Sequence, residues 1–81
     1  MESELGLPAA VASSVTLLTE TYIQAAETDI YRRIVLEVDR AVLGAVMRHV
    51  KGNQVRASEL LGISRTTLRA KLRAAGIHGS E

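Results

Sequence analysis

The chain has 81 residues, of which 47% are hydrophobic, none is cysteine, and only Tyr22 and Tyr31 are aromatic. We expect one small domain with an aliphatic core, without a disulfide framework, a thiolate zinc site or a membrane span, since no apolar run approaches the roughly 20 residues that cross a bilayer. The net charge of +1 is unevenly divided along the chain. Residues 1–30 carry five acidic and no basic side chains, whereas residues 31–81 carry ten basic and four acidic ones. A basic segment of this kind indicates binding of a polyanion.

Residues 1–13 show no sustained hydrophobic period and contain Gly6 and Pro8, so we expect a flexible acidic leader or linker. They begin with acidic residues, where a secretory signal would be basic, which favours a cytoplasmic protein. Ser13 or Ser14 is predicted to cap a first helix. The apolar residues of this helix recur at three- and four-residue steps, and two more widen the stripe: Val15, Leu18, Tyr22 and Ala26, then Leu17 and Ile23.

A long second helix is predicted over about residues 30–50. Its apolar residues step by four, and because four residues overshoot one turn, the stripe winds around the helix. They are Ile30, Ile34, Val38, Val42, Val46 and Val50, flanked by a second band of Tyr31, Val35, Leu36, Leu43 and Met47. An apolar face this wide favours two neighbours. We expect the first half to meet helix one or a partner chain, and the second half to meet the segment that follows.

A third, short helix is predicted after a break at Lys51 and Gly52, where a cation in the last turn and a glycine end the long helix. Asn53 is placed to cap the third helix over about residues 54–61. Its inner face is predicted to hold Ala57, Leu60 and Leu61.

A fourth helix is predicted over about residues 65–74, capped by Ser64 and closed by Gly76, with Ile77 folding back onto the core. The tight turn before the fourth helix needs a positive φ, which Gly62 permits. Ser58 has a small side chain at the point where the third and fourth helices are expected to cross. The two helices therefore predict a helix-turn-helix. Its inward residues are Ile63, Leu68, Leu72 and Ala75.

The outward face of the fourth helix is cationic. With Leu68 inward, a helical period places Thr66, Arg69, Ala70 and Arg73 outward, with Arg65 and Lys71 on the flanks. Arg65 lies in the first turn, where the helix dipole disfavours a cation by about 0.3–1 kcal/mol. A contact with an anion or with the edge of a base would explain an arginine at this position. The alternative is that these arginines do not bind a ligand and only make a short helix soluble. The spacing of Ser58 and Gly62 and the uneven division of charge along the chain favour DNA binding.

Residues 52–72, GNQVRASELLGISRTTLRAKL, closely resemble the helix-turn-helix of Fis-type proteins, a family that includes the nucleoid protein Fis and the C-terminal DNA-binding domains of NtrC-type enhancer-binding activators. Residues 30–38, IYRRIVLEV, resemble the long second helix of that family. The resemblance covers about residues 14–78. It implies an all-α, four-helix domain with a C-terminal helix-turn-helix, an intertwined homodimer, and double-stranded DNA as the partner.

The resemblance also implies a division of the chain: a two-helix dimerisation region at residues 14–51, the helix-turn-helix at 52–78 and a tail at 79–81. Dimerisation residues are then expected along the first two helices: Leu18, Tyr22, Ile30, Ile34, Val38 and Val42. The family's DNA contacts fall on Asn53, Ser64, Arg65, Thr67, Arg69 and Lys71. Arg65 would read a base, and Arg56, Thr66 and Arg73 are added here for their charge or outward position.

Three residues depart from the family pattern. Val55 stands where Fis has a hydroxyl able to meet phosphate, and Ala70 stands where lysine is frequent, so both reduce phosphate contacts. Ala41 replaces a common proline of the long helix.

The acidic leader lacks the alternation of the β-hairpin arm of Fis, and the link between the first two helices is short. Both features favour the effector domain of an NtrC-type activator, a bacterial transcriptional regulator. The alternative is a stand-alone, Fis-like, nucleoid-associated protein that bends DNA, and a helical protein-interaction domain is a further alternative. No Walker motif is present, so the ATPase or receiver domain of an NtrC-type activator would have to lie outside this chain, covalently preceding it. His49 and His78 have no partners at metal or catalytic spacing, so we expect no enzyme, no metal and no cofactor.

Overall fold

The computed structural model describes residues 8–77, which form four α-helices and no strand within that range. The helices are α1 (Ala9–Gln24), α2 (Ile30–His49), α3 (Gln54–Leu61) and α4 (Arg65–Ala75). This confirms the all-α class and the four predicted helices. The first seven residues of the predicted leader, His78 and the predicted tail at 79–81 lie outside the described residues. Within residues 8–77, no helix combines the length and hydrophobicity that crossing a membrane requires.

Helix α1 begins at Ala9, so the predicted start at Ser13 or Ser14 is wrong. Pro8 precedes it with φ −56° and ψ 149°, and its carbonyl accepts a hydrogen bond from the amide of Ala12 at 3.0 Å. The hydroxyl of Ser14 donates back to the carbonyl of Ala10 at 3.0 Å, inside the helix. Serine can bond the preceding turn in this way as well as cap a helix, and the alanines around it favour continuation.

The structure divides after Val35 into two compact units. In the first, α1 buries no residue, and the turn before α2 is held by ion pairs. The guanidinium of Arg33 donates from Nε to the carbonyl of Thr28 at 2.9 Å and lies 3.5 Å from the carboxylate of Glu27. Arg32 pairs with Asp29 at 3.1 Å. These contacts fix the start of α2.

The second unit, from Leu36 onward, contains the helix-turn-helix and the core that supports it. Leu43 and Met47 of α2 lie in one buried cluster with residues from both later helices: Ala57, Leu68, Leu72 and Ala75. Ile63 and Ile77 pack against this cluster. The structure thus confirms that the second half of α2 meets the segment that follows and that Ile77 folds back onto the core.

Leu60 is not on the inner face of α3, contrary to the sequence prediction, because it is 48% exposed. Ala57 and Ser58 are buried instead, and Leu61 packs against the core. Three residues after Ala57, Leu60 is turned about 60° back from it, on the side opposite Ser58. Two helical turns bury only a narrow stripe, and that stripe runs along Ala57, Ser58 and Leu61.

Gly62 ends α3 in the left-handed conformation, with φ 74°. We expect Gly62→Ala to lower the free energy of unfolding by about 1–2 kcal/mol, the strain of a Cβ in that conformation, although no atom lies within 4 Å of the added methyl. Gly44→Ala is the matched control. Gly44 lies inside helix α2, and the Cβ of an alanine there would meet only the flexible end of Arg48, at 3.3 Å. We therefore expect this variant to raise the free energy of unfolding by up to about 1 kcal/mol. Urea unfolding of both variants measures this, and equal shifts of one sign would contradict it.

Candidate nucleic-acid interface

Two of the predicted DNA contacts are also the caps of the helix-turn-helix. The side-chain oxygen of Asn53 accepts from the amide of Arg56 at 3.1 Å and begins α3. The hydroxyl of Ser64 accepts from the amide of Thr67 at 3.1 Å and begins α4, and it donates to the Thr67 hydroxyl at 3.0 Å. Asn53 is exposed and its side-chain amide group remains a donor. The caps therefore orient both helix starts and leave polar atoms at the surface.

Helix α4 separates an apolar face from a cationic one, as predicted. Its inward residues are almost fully buried: Leu68 at 0% exposure, Leu72 at 3% and Ala75 at 7%. The outward residues are all exposed: Arg65, Thr66, Arg69, Ala70 and Arg73. Two small side chains between three arginines allow a flat ligand to approach the backbone of the helix closely. The buried face holds the helix rigidly, so this surface is preformed.

The flanks of α4 carry two contacts that the sequence analysis missed. On one side, Nε of Arg69 donates to Oε1 of Gln54 in α3 at 3.4 Å. On the other, Nζ of Lys71 lies 3.3 Å from Oδ2 of Asp39 in α2. The partners are 15 and 32 residues away in sequence, so no local pattern could have found them.

The predicted cationic residues differ in how their charge is compensated. Arg56 pairs with Glu59 at 3.1 Å, and Lys71 pairs with Asp39. Arg65, Arg69 and Arg73 have no ion-pair partner among residues 8–77. The uncompensated positive charge of α4 is thus concentrated on its outward arginines, where a polyanion gains the most.

Two further exposed cations precede α3: Arg48 in the last turn of α2, and Lys51 in the turn that follows α2. Neither has an ion-pair partner within the described part of the chain. Both residues belong to the basic excess of residues 31–81, but neither is among the predicted DNA contacts. Among residues 8–77, no three His, Asp or Glu side chains are grouped so that they could hold a metal ion.

The arrangement of a capped α3, a left-handed glycine and a capped cationic α4 matches a known family. The family model described as "Bacterial regulatory protein, Fis family" matches residues 35–74, about half of the chain. The chain carries a Fis-family helix-turn-helix domain. The match begins within α2 and ends one residue before the end of α4, so this Fis-family segment includes the part of α2 that contributes Leu43 and Met47 to the core.

Individual relatives agree with this family assignment. The chain is 56% identical over 46 residues to a protein of Pseudomonas aeruginosa whose name describes a Fis-like DNA-binding protein, covering 57% of this chain and 44% of the relative. It is 44% identical to the DNA-binding protein Fis of Glaesserella parasuis and 42% identical to that of Proteus mirabilis, over 50 residues in each case. Those two matches cover 62% of this chain and 51% of the relative.

The chain therefore spans about half the length of the curated relatives it matches. No solved structure gives a significant match to the chain. The resemblance to the Fis-type family is confirmed for the helix-turn-helix.

Proposed function

We propose that this domain binds double-stranded DNA, with α4 lying in the major groove. The observation that carries the proposal is the exposed face of α4, where Arg65, Arg69 and Arg73 have no carboxylate partner among residues 8–77 and project from a helix whose other face is buried. A helix of this kind fits the major groove, and arginine pairs bidentately with guanine O6 and N7. The names of the Fis relatives, which describe DNA-binding proteins, support the same function.

The roles of individual residues follow from their places on α3 and α4. Arg65, in the first turn of α4, is proposed as the main base reader, since the N-terminal residues of a recognition helix reach base edges. Asn53 and Thr67, both exposed at helix starts, are proposed to hold phosphates. Thr66 and Ala70 have small side chains, which let the helix approach the bases closely. The remaining proposed DNA contacts are Arg56, Ser64, Arg69, Lys71 and Arg73.

We also propose that the domain acts as a homodimer. Val38 and Val42 of α2 are each 46% exposed in the single chain, and the other predicted dimerisation residues are half-buried: Leu18, Tyr22, Ile30 and Ile34. A second copy that covers Val38 and Val42 would remove their apolar surface from water, at about 25 cal/mol per Å². Two recognition helices in such a pair would enter successive major grooves, about 34 Å apart.

Between the two Fis-type functions, we propose the Fis-like one, a nucleoid-associated protein that bends DNA; the names of the relatives support the Fis-like, DNA-binding part of this proposal. The relatives are named Fis or Fis-like, whereas the features that favoured the NtrC-type effector domain were the composition of residues 1–13 and the short link before α2. The effector-domain hypothesis would add a covalently preceding ATPase or receiver domain. The Fis-like function requires neither.

Arg65→Ala tests the proposed function. We expect a loss of about 1–3 kcal/mol in DNA binding and a relaxed preference at one base position of each half-site, because a bidentate base contact is removed. Arg32→Ala is the matched control: it removes the same charge from an exposed arginine outside the helix-turn-helix, 72% exposed at its side chain. Binding sequences are selected from a random duplex pool with the unaltered chain and with each variant, and affinities for the sequence selected by the unaltered chain are then measured by fluorescence anisotropy.

Salt dependence separates DNA binding from a helical protein-interaction function. The affinity for the selected duplex should fall steeply as salt rises from about 50 to 200 mM. The reason is that protein binding releases condensed cations from the phosphates, and added salt opposes this release. If Arg65→Ala and Arg32→Ala weaken binding equally and leave the selected sequence unchanged, Arg65 is not the base reader. If the unaltered chain binds no duplex at low salt, the proposed function is wrong.

A further inference from the structure

The contact between Asp39 and Lys71 is the only ion pair that joins two helices among residues 8–77. It links the middle of α2 to the second turn of α4, with the carboxylate oxygen 3.3 Å from the ammonium nitrogen. Both side chains are accessible, 30% for Asp39 and 41% for Lys71. Lys71 is therefore near enough to the surface to reach a ligand. Its positive charge, however, is already paired with the carboxylate of Asp39.

A neighbouring contact keeps α4 in place independently of Asp39. Nε of Arg40 donates to the carbonyl of Ala75 at 3.3 Å, at the end of α4, where a cation is favourable for the helix dipole. Leu68 and Leu72 anchor the same helix in the core. The position of α4 therefore does not depend on the Asp39–Lys71 pair, and removing the carboxylate changes the charge beside α4 more than its position.

We propose that Asp39 limits the affinity of this domain for DNA by competing with a backbone phosphate for the ammonium of Lys71. The proposal rests on the DNA-binding function above. Lys71 has three donors and one positive charge, and a phosphate that takes this charge must displace or share it with the carboxylate. A carboxylate beside the path of the phosphates also repels them. Asp39 thus determines how much of the positive charge of Lys71 is available to DNA.

The chain offers a matched control in Glu37. It lies on the same helix two residues earlier, is of the same charge, and pairs with Arg40 at 3.3 Å instead of with α4. Glu37→Gln removes one negative charge from α2 without releasing Lys71. A comparison with Asp39→Asn therefore separates the local competition for Lys71 from a general change in net charge.

The experiment measures the affinity for the selected duplex across a salt series for the unaltered chain, Asp39→Asn and Glu37→Gln, each with Lys71 or with Lys71→Gln. We expect Asp39→Asn to bind about threefold to fivefold more tightly per recognition helix at low salt, the upper end for an exposed ion pair. The gain should shrink as salt rises and vanish in the Lys71→Gln background. Glu37→Gln should show a smaller gain that does not depend on Lys71.

Three results would overturn the proposal. Equal gains for Asp39→Asn and Glu37→Gln would show a general charge effect, and a gain that persists without Lys71 would show that Asp39 acts elsewhere. A loss of affinity in Asp39→Asn, with unchanged circular dichroism, would show that Asp39 instead orients Lys71 for binding. In each case the unaltered chain still binds DNA, so this failure differs from failure of the proposed function. Asp39→Ala repeats the comparison if the asparagine variant does not fold.

Discussion

Leu68→Ala is expected to lower the free energy of unfolding by about 2–5 kcal/mol, the range measured for large-to-small substitutions in well-packed cores. Leu68 is fully buried, at 0% exposure. It lies in the cluster that joins α2, α3 and α4, so alanine would leave a cavity at the point where all three helices meet. For a domain of this size, a loss in this range removes a large part of the total stability.

Leu60→Ala is the matched control for Leu68→Ala. It is the same substitution in the other helix of the helix-turn-helix, but Leu60 is 48% exposed, so we expect a loss below about 1 kcal/mol. Urea unfolding followed by circular dichroism measures both, at one protein concentration because dimerisation would shift the apparent stability. A loss for Leu60→Ala as large as that for Leu68→Ala would contradict the observed packing of α3.

Val38→Asp is expected to separate the proposed homodimer. In the single chain Val38 is 46% exposed, so an aspartate there would remain hydrated and the fold of one chain would tolerate it. Covered by a second copy, the same carboxylate becomes an uncompensated buried charge, which costs about 3–5 kcal/mol. The dissociation constant of the dimer should therefore rise more than about hundredfold, as measured by sedimentation equilibrium. Val42→Asp should act in the same way.

Val55→Asp controls for the substitution itself. Val55 is 47% exposed, about the same as Val38, and it lies in the first turn of α3, where an acidic residue is favourable for the helix dipole. We expect this variant to dimerise like the unaltered chain. If Val38→Asp also leaves the association unchanged, or if the unaltered chain sediments as a monomer at micromolar concentration, the proposed interface is wrong.

The boundaries of α3 and α4 could be predicted from the sequence because local chemistry decides them. Asn53 and Ser64 each cap a helix through the amide three residues later, and this bond closes within one turn. Gly62 and Gly76 each end a helix with φ 74°, a conformation that glycine adopts without strain. No distant residue takes part in any of these four signals, so the pattern alone was sufficient.

Local chemistry was not sufficient where two local structures compete. Ser13 and Ser14 are good caps, but the structure continues the helix back to Ala9, after Pro8. Serine satisfies its hydroxyl inside a helix as well as at its start, so the residues there permit both outcomes. The position of Leu60 was misjudged for another reason. The apolar pattern of α3 does not say which of its faces the core will cover.

The sequence by itself determined the all-α class, the four helices, the turn at Gly62 and the separation of Leu68 from the outward arginines of α4, because each depends on helical period or on bonds within a few residues. Only the tertiary structure decided which charged side chains of α4 contact the other helices. Asp39 meets Lys71 and Gln54 meets Arg69 because the buried cluster sets α4 against α2 and α3. Pairings of that kind depend on how helices pack, and packing is a property of the whole core and not of any one segment.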